Sequence, residues 1–184
     1  MCTELIKKYS DNFQTILYCG TDQHSLQSDP SLKSKFIVSR EILNPFDYTT
    51  VNDGNILLVL DDCFLEAVDN QFIVKAFTKG RHNNISIIFI TQNVFQPGKY
   101  ARGIALNASH YILMRNRDLS QIETLGRQIF GKCNAKEFLR IYQKALTHNK
   151  FGYLLIDLSP NTPEELRLRT NIIGETSHQI VFQF

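Results

Sequence analysis

The sequence predicts a three-layer α/β domain built on a mainly parallel sheet, and three observations carry that reading. Two apolar runs, Ile56–Leu60 and Ile85–Ile90, have the composition of strands covered on both faces. Between them Phe64, Leu65, Val68, Phe72, Ile73, Ala76 and Phe77 recur at helical spacing, and a helical crossover is what two parallel strands require. Both runs end on polar residues, Asp61–Asp62 and Thr91–Gln92–Asn93. In open sheets of this kind ligands bind beyond the carboxyl ends of the strands, so the chemistry is expected there.

A chain of 184 residues is most simply read as one domain, residues 1–184, able to bury roughly 70% of the surface its unfolded form exposes. A formal charge of +2 argues neither for nor against a nucleic-acid partner. The first residues, MCTELIKKYSDNFQ, lack the apolar core of a signal peptide, and no apolar run approaches the roughly 20 residues that cross a bilayer. An intracellular protein without a membrane partner is expected. Cys2, Cys19, Cys63 and Cys133 are scattered without CxxC pairing, which favours buried reduced thiols over disulfides or a metal site. His24, His82, His110, His148 and His178 have no mutual spacing suited to zinc, and no nucleophile elbow is legible.

In chain order, Thr3–Tyr9 reads as the tail of a helix and Gln14–Cys19 as a short buried strand stopped by Gly20. Thr21–Ser34 is polar and contains Pro30, which predicts a loop with a turn of helix from Gln23. Lys35–Val38 is a second short strand, and Ser39 is placed to cap a brief helix ending before Pro45. Phe46–Gly54 is a turn-rich connection into the central strand. The amphipathic segment after Asp62 should run as one helix to Gly80. Pro97–Gly98 makes a turn, Ala101–Ala108 a short helix and Ser109–Met114 a strand. Leu119–Phe130 and Ala135–His148 carry helical periodicity, Phe151–Leu158 is the last clear strand, and HQIVFQF at the end either adds an edge strand or trails away.

LLVLDD, an apolar strand delivering two adjacent carboxylates, has the form of the Walker B element of P-loop NTPases, in which the first acid holds Mg²⁺ and the second can polarise the attacking water. The spacing matters because successive strand residues point opposite ways. Asp62 as a helix N-cap is the structural alternative, as are Gln92 satisfying loop backbone and Arg81 as a solvated charge near a helix C-terminus. Lys79, Arg81, His82, Lys99, Arg102, Arg115 and Arg117 fall in loops or short helices, open to a phosphate-contacting role or to forming a solvated rim.

The blocks LLVLDD, FTKGRHNNISIIFITQN, GIALNASHYILMRN, SQIETLGRQIFG and FGYLLIDL, in that order, resemble the packaging ATPases of poxviruses, related large DNA viruses and the Polinton (Maverick) transposons. These belong to the FtsK–HerA class of P-loop ATPases, and the resemblance runs from about Gln14 to about Ile173. It implies a three-layer P-loop NTPase (RecA/ASCE-like) fold and a motor that hydrolyses ATP with Mg²⁺ between subunits of a homo-oligomeric ring, translocating double-stranded DNA. By that resemblance Asp61 is the Mg²⁺ acid, Asp62 the catalytic acid, Gln92 the sensor, and Arg81 the finger that acts in trans, with Asp61, Asp62 and Gln92 facing the nucleotide. Gly80–Arg81 is expected at the same carboxyl side of the sheet or on a flanking surface. Location in a virus factory, a nucleus or a virion stays open.

Two departures qualify the resemblance. Many members of the class carry Glu where Asp62 stands. No GxxxxGK[ST] occurs in the sequence, and that loop normally cradles the triphosphate through backbone amides, a helix N-terminus and a Lys. Met1–Tyr9 resembles the helix that follows it, so the expectation is a fold truncated at its N-terminus, with a gap or an unpaired edge in the middle of the sheet beside Ile85–Ile90 and weak or absent ATP binding. The alternative is a catalytically inactive remnant or interaction domain that keeps the ATPase fold.

Overall fold

Every residue of β1 (Thr15–Cys19) is buried, as is every residue of β3 (Ile56–Asp61) except its last, so both strands are covered on both faces as their composition requires. The computed structural model describes residues 2–20, 29–30, 32–49, 54–95, 97–148, 151–172 and 178–184. The helical turn expected from Gln23 lies outside the described residues. Contacts divide the chain into two compact units, Met1–Gln92 with Gln96–Asn107, and Asn93–Phe95 with Ala108–Phe184.

In the first unit β1, β2 (Phe36–Ser39), β3 and β4 (Ile85–Ile90) form a parallel sheet in the order β2-β1-β3-β4. Alternation along the strands gives it two apolar faces. Ile16, Tyr18, Leu57 and Val59 pack with Ile6 of α1 (Cys2–Tyr9). Leu17, Cys19, Ile56, Leu58 and Leu60 pack with Ile73 and Ile104 on the opposite face, which carries α2 (Phe64–Val68), α3 (Gln71–Lys79) and α4 (Ala101–Asn107). This unit is therefore the three-layer arrangement the two apolar runs predict. Among the described residues β4 pairs with β3 alone, so Ile85–Ile90 is an edge strand of this sheet. Its side chains nevertheless reach both cores: Ile88 and Ile90 join one, Ile87 and Phe89 the other, where Phe89 stacks on Phe64 at 5.3 Å between ring centroids.

Two local expectations are corrected. The single helix from Phe64 to Gly80 is broken at Asp69–Asn70, because both side chains take up backbone donors there. Asn70 caps α3 by accepting from the Phe72 N–H at 2.8 Å, and Asp69 accepts from the Lys99 N–H at 2.8 Å. Ser39 does not start a helix. Its hydroxyl accepts from the Glu41 N–H at 3.0 Å in a local bend, and the helical turn forms later as a 3₁₀ segment, Pro45–Tyr48, capped by Asn44.

The second unit holds an antiparallel sheet, β5 (His110–Leu113), β6 (Leu154–Asp157), β7 (Leu168–Thr170) and β8 (Ile180–Phe182), in that order. Strand β7 escaped the sequence reading because LRT in LRLRT alternates without an apolar run. The terminal HQIVFQF does supply an edge strand, β8. Helix α5 (Leu119–Phe130) starts where the Asp118 carboxylate accepts from the Ser120 N–H at 3.0 Å, and stops at Gly131, whose φ of 84° a side chain would resist. It lies close to α6 (Ala135–Ala145): a Cβ at Gly126 would stand 2.3 Å from the Phe138 ring. Phe138 and Tyr142 are fully buried between these helices and the sheet, and the Tyr142 hydroxyl donates to the Met114 carbonyl and accepts from the Asn116 N–H, each at 2.8 Å.

Asp157, buried at the end of β6, pairs with Arg169 and accepts from the Ser159 N–H at 3.0 Å, with His110 Nε2 at 3.3 Å. Burial pushes its carboxyl up, but hydrogen bonds from Ser159 and Thr162 and the charge of His110 outweigh that and hold it below the ordinary Asp value. A carboxyl lowered on folding adds stability that is complete above its unfolded value and disappears as pH falls through its folded one. Thermal unfolding across acid pH should show this loss below the ordinary carboxylate range, and Asp157→Asn should flatten it. In chemical denaturation at neutral pH, Phe138→Ala should lower stability by about 3–5 kcal/mol.

Candidate functional site

The parallel register of β3 and β4 fixes what can meet at the carboxyl edge of the first unit's sheet. Leu60 lies opposite Phe89 and Asp61 opposite Ile90, so Gln92 follows two residues beyond the level of Asp61. Asp61 and Gln92 thus leave adjacent strands at one edge. Alternation puts Asp61 on the face of Leu57 and Val59, the face α1 covers. One contact confirms that side, and the electrostatics agree with it. The buried Tyr18 of β1 donates its hydroxyl to Asp61 Oδ2, and the Cys2 thiol, on the first residue of α1, is pushed up to about 11 by burial and then by the Asp61 charge.

Asp61 is half-buried, and its Oδ1 has no hydrogen-bond partner among the described residues. Asp62 is exposed and left-handed, with φ of 55°, a conformation that Asp tolerates better than most residues. It does not cap α2: the N-cap position belongs to Cys63, which makes no side-chain cap bond. Gln92 is exposed and makes no hydrogen bond among the described residues. The structural alternatives weighed for Asp62 and Gln92 are therefore not realised among the described residues.

Arg81 is elsewhere. It lies in the 3₁₀ turn Gly80–Asn83 that leads into β4, and Asn84 at the end of that turn accepts from the Ile56 N–H at 2.8 Å, at the start of β3. That is the amino edge of the sheet, separated from Asp61 by the length of β3, roughly 16 Å at ~3.3 Å per residue. The expectation that Gly80–Arg81 shares the carboxyl side is corrected, because a parallel strand places its preceding turn and its following loop at opposite edges. Arg81 cannot complete the site of its own chain.

Tyr18, Gly20 and Cys2 were missed as neighbours of Asp61. The available signal was Tyr18 itself, a residue with a polar tip inside a fully apolar strand, since a buried phenol needs a partner. Gly20 is dictated by packing: a Cβ there would stand 2.5 Å from the Asp61 carbonyl oxygen. The thiols beside it are quiet. Cys63 donates to the Cys19 carbonyl at 3.7 Å, and burial pushes both Cys19 and Cys63 up, the latter to about 11.

The donor set suits Mg²⁺, which takes one or two carboxylates and keeps several waters, completing its shell with substrate phosphates. Asp61 offers a free carboxylate oxygen at a half-open edge, with Asp62 adjacent. The sequence carries no GxxxxGK[ST] to add phosphate donors to them.

No family model matches the chain, and no curated protein matches it. Among solved structures it is similar to the genome packaging NTPase B204 from Sulfolobus turreted icosahedral virus 2, solved in complex with ATP-gammaS. The match has a TM-score of 0.54 at 15% identity and covers 94% of this chain and 86% of that one. The chain shares the α/β fold of that structure, as the sequence predicts. No helix among the described residues is long and apolar enough to cross a membrane.

Gly20→Ala should force the carboxyl ends of β1 and β3 apart and lower stability by about 1–3 kcal/mol in chemical denaturation. Gly54→Ala would meet only the flexible Gln14 side chain, 2.5 Å away, and should cost less.

Proposed function

We propose that this chain carries the acid and sensor side of a nucleotide site in a DNA-translocating ATPase of viral or transposon packaging type, kin to the FtsK–HerA class. Asp61 holds Mg²⁺, Asp62 orients or deprotonates the attacking water, and Gln92 contacts the terminal phosphate. The observation that carries this reading is the convergence of Asp61 and Gln92 at one edge of adjacent parallel strands, with the first residue of α1 within electrostatic reach of Asp61.

Bound Mg²⁺ would neutralise developing charge on the phosphates. The residues of this chain supply position: the rigid strand ends set Asp61 and Gln92, and the left-handed turn at Asp62 sends its carboxylate out of the strand's alternation. Arg81, at the opposite edge, acts only from a neighbouring subunit, which is the role of a finger in trans and makes a homo-oligomeric ring part of the proposal. Double-stranded DNA as the cargo follows from the resemblance alone.

A second reading, a non-catalytic domain that keeps the fold, is favoured by the missing phosphate cradle. In calorimetric titration with Mg²⁺ and ATP, residues 1–184 should bind no more tightly than about 1 mM, some 4 kcal/mol, and Asp61→Asn should remove what Mg²⁺-dependent binding exists. Affinity that is unchanged in Asp61→Asn refutes the assignment of Asp61. A form extended by a strand and a GxxxxGK[ST] loop ahead of α1 should bind at micromolar levels and hydrolyse ATP. In that form Arg81→Ala should lower turnover of the assembled ring by 10³-fold or more, on the order seen for such fingers, while sparing binding. A complete form without turnover selects the second reading.

A further inference from the structure

We infer that Tyr18 is a positioning residue for Asp61, favouring ligation through one oxygen and so biasing the site toward small, water-rich divalent cations over Ca²⁺. The inference rests on the assignment of Asp61 as the metal acid and deepens it. Tyr18 is 4% exposed, its ring lies 5.8 Å from that of Phe36, and it packs with Ile6, Ile16, Leu57 and Val59. Its position along the sheet is set by the register that pairs it with Val59, two residues before Asp61 on the same face of β3. The phenol oxygen is therefore held by packing, and its bond orients the carboxylate. The hydrogen bond, from a neutral hydroxyl to a charged acceptor, is of the stronger kind.

The bond engages Oδ2 and leaves Oδ1 without a hydrogen-bond partner among the described residues. A carboxylate so held has one lone pair of Oδ2 engaged and its plane set by the phenol, which disfavours presenting both oxygens to one ion. Mg²⁺ and Mn²⁺ accept a single carboxylate oxygen and retain their waters, whereas Ca²⁺ gains from two-oxygen coordination and a larger shell. Groups that orient a ligating carboxylate change metal affinity by roughly 10–100-fold when removed. A tyrosine serving only the core would have no such effect.

The test uses Mn²⁺ binding to the 184-residue chain, followed by the electron paramagnetic resonance of free Mn²⁺, with Mg²⁺ and Ca²⁺ as competitors and thermal unfolding alongside. Asp61→Asn should weaken Mn²⁺ binding at least about tenfold. Tyr18→Phe should weaken it by about tenfold and lower the preference for Mn²⁺ over Ca²⁺. Binding that is absent in the wild type, or equal in Asp61→Asn, removes the metal assignment and this inference together. Binding lost in Asp61→Asn but unchanged in Tyr18→Phe, in strength and in Ca²⁺ preference, overturns the role of Tyr18 alone. Should Tyr18→Phe not fold, Mn²⁺ must broaden the Tyr18 ring resonances of the wild type, and sharp resonances at saturating Mn²⁺ overturn it equally.

Discussion

The parallel pairing of β1, β3 and β4 is the constraint on which the first unit depends. Because neighbouring strands run the same way and in fixed register, all of their carboxyl ends fall on one edge and all of their amino ends on the other. The same geometry gathers Gly20, Asp61 and Gln92 and keeps Arg81 away. Burial of both faces makes that register expensive to change, since a slip of one residue would exchange the side chains packed under α1 for those packed under α3. The position of the Asp61 carboxylate is thus decided by Leu57, Val59, Ile16 and Ile6 as much as by the aspartate itself.

Much of this was legible in the sequence, and the parts that were not have physical reasons. The two central strands were readable because strands buried on both faces leave an unbroken apolar signature, and their polar ends marked the edge that Asp61 and Gln92 share. The break at Asp69–Asn70 was hidden because the apolar spacing continues through it. Only the competition of two short polar side chains for backbone donors ends α2, and one of those donors, on Lys99, is remote in sequence. The bond between Tyr18 and Asp61 joins residues 43 apart, and nothing local encodes it. The amino-edge place of Arg81 could have been deduced from the direction of β4 alone; the resemblance to a motor family, with its finger and sensor close in sequence, obscured that step.

The second unit follows a different economy. Its antiparallel sheet is short-stranded, and its order rests on side chains that tie loops to the core: Tyr142 holds the segment from Met114 to Asn116, and Asp157 gathers Arg169, His110 and Ser159 at one end of β6. His110 Nε2 lies 3.3 Å from both Ser159 Oγ and Asp157 Oδ1. A charge relay needs the two ring nitrogens to serve different partners, so this cluster is an anchor and not a hydrolytic triad.

Strand β4 carries ISIIFI to the margin of its sheet with no Lys, Pro or bulge to blunt it. Natural margins are usually guarded, and a six-residue uncharged run with five β-prone residues has the signature of segments that zip into fibrils. Among the described residues, the strand that carries the chain toward Gln92 is therefore also a segment prone to self-templating wherever that margin is left bare.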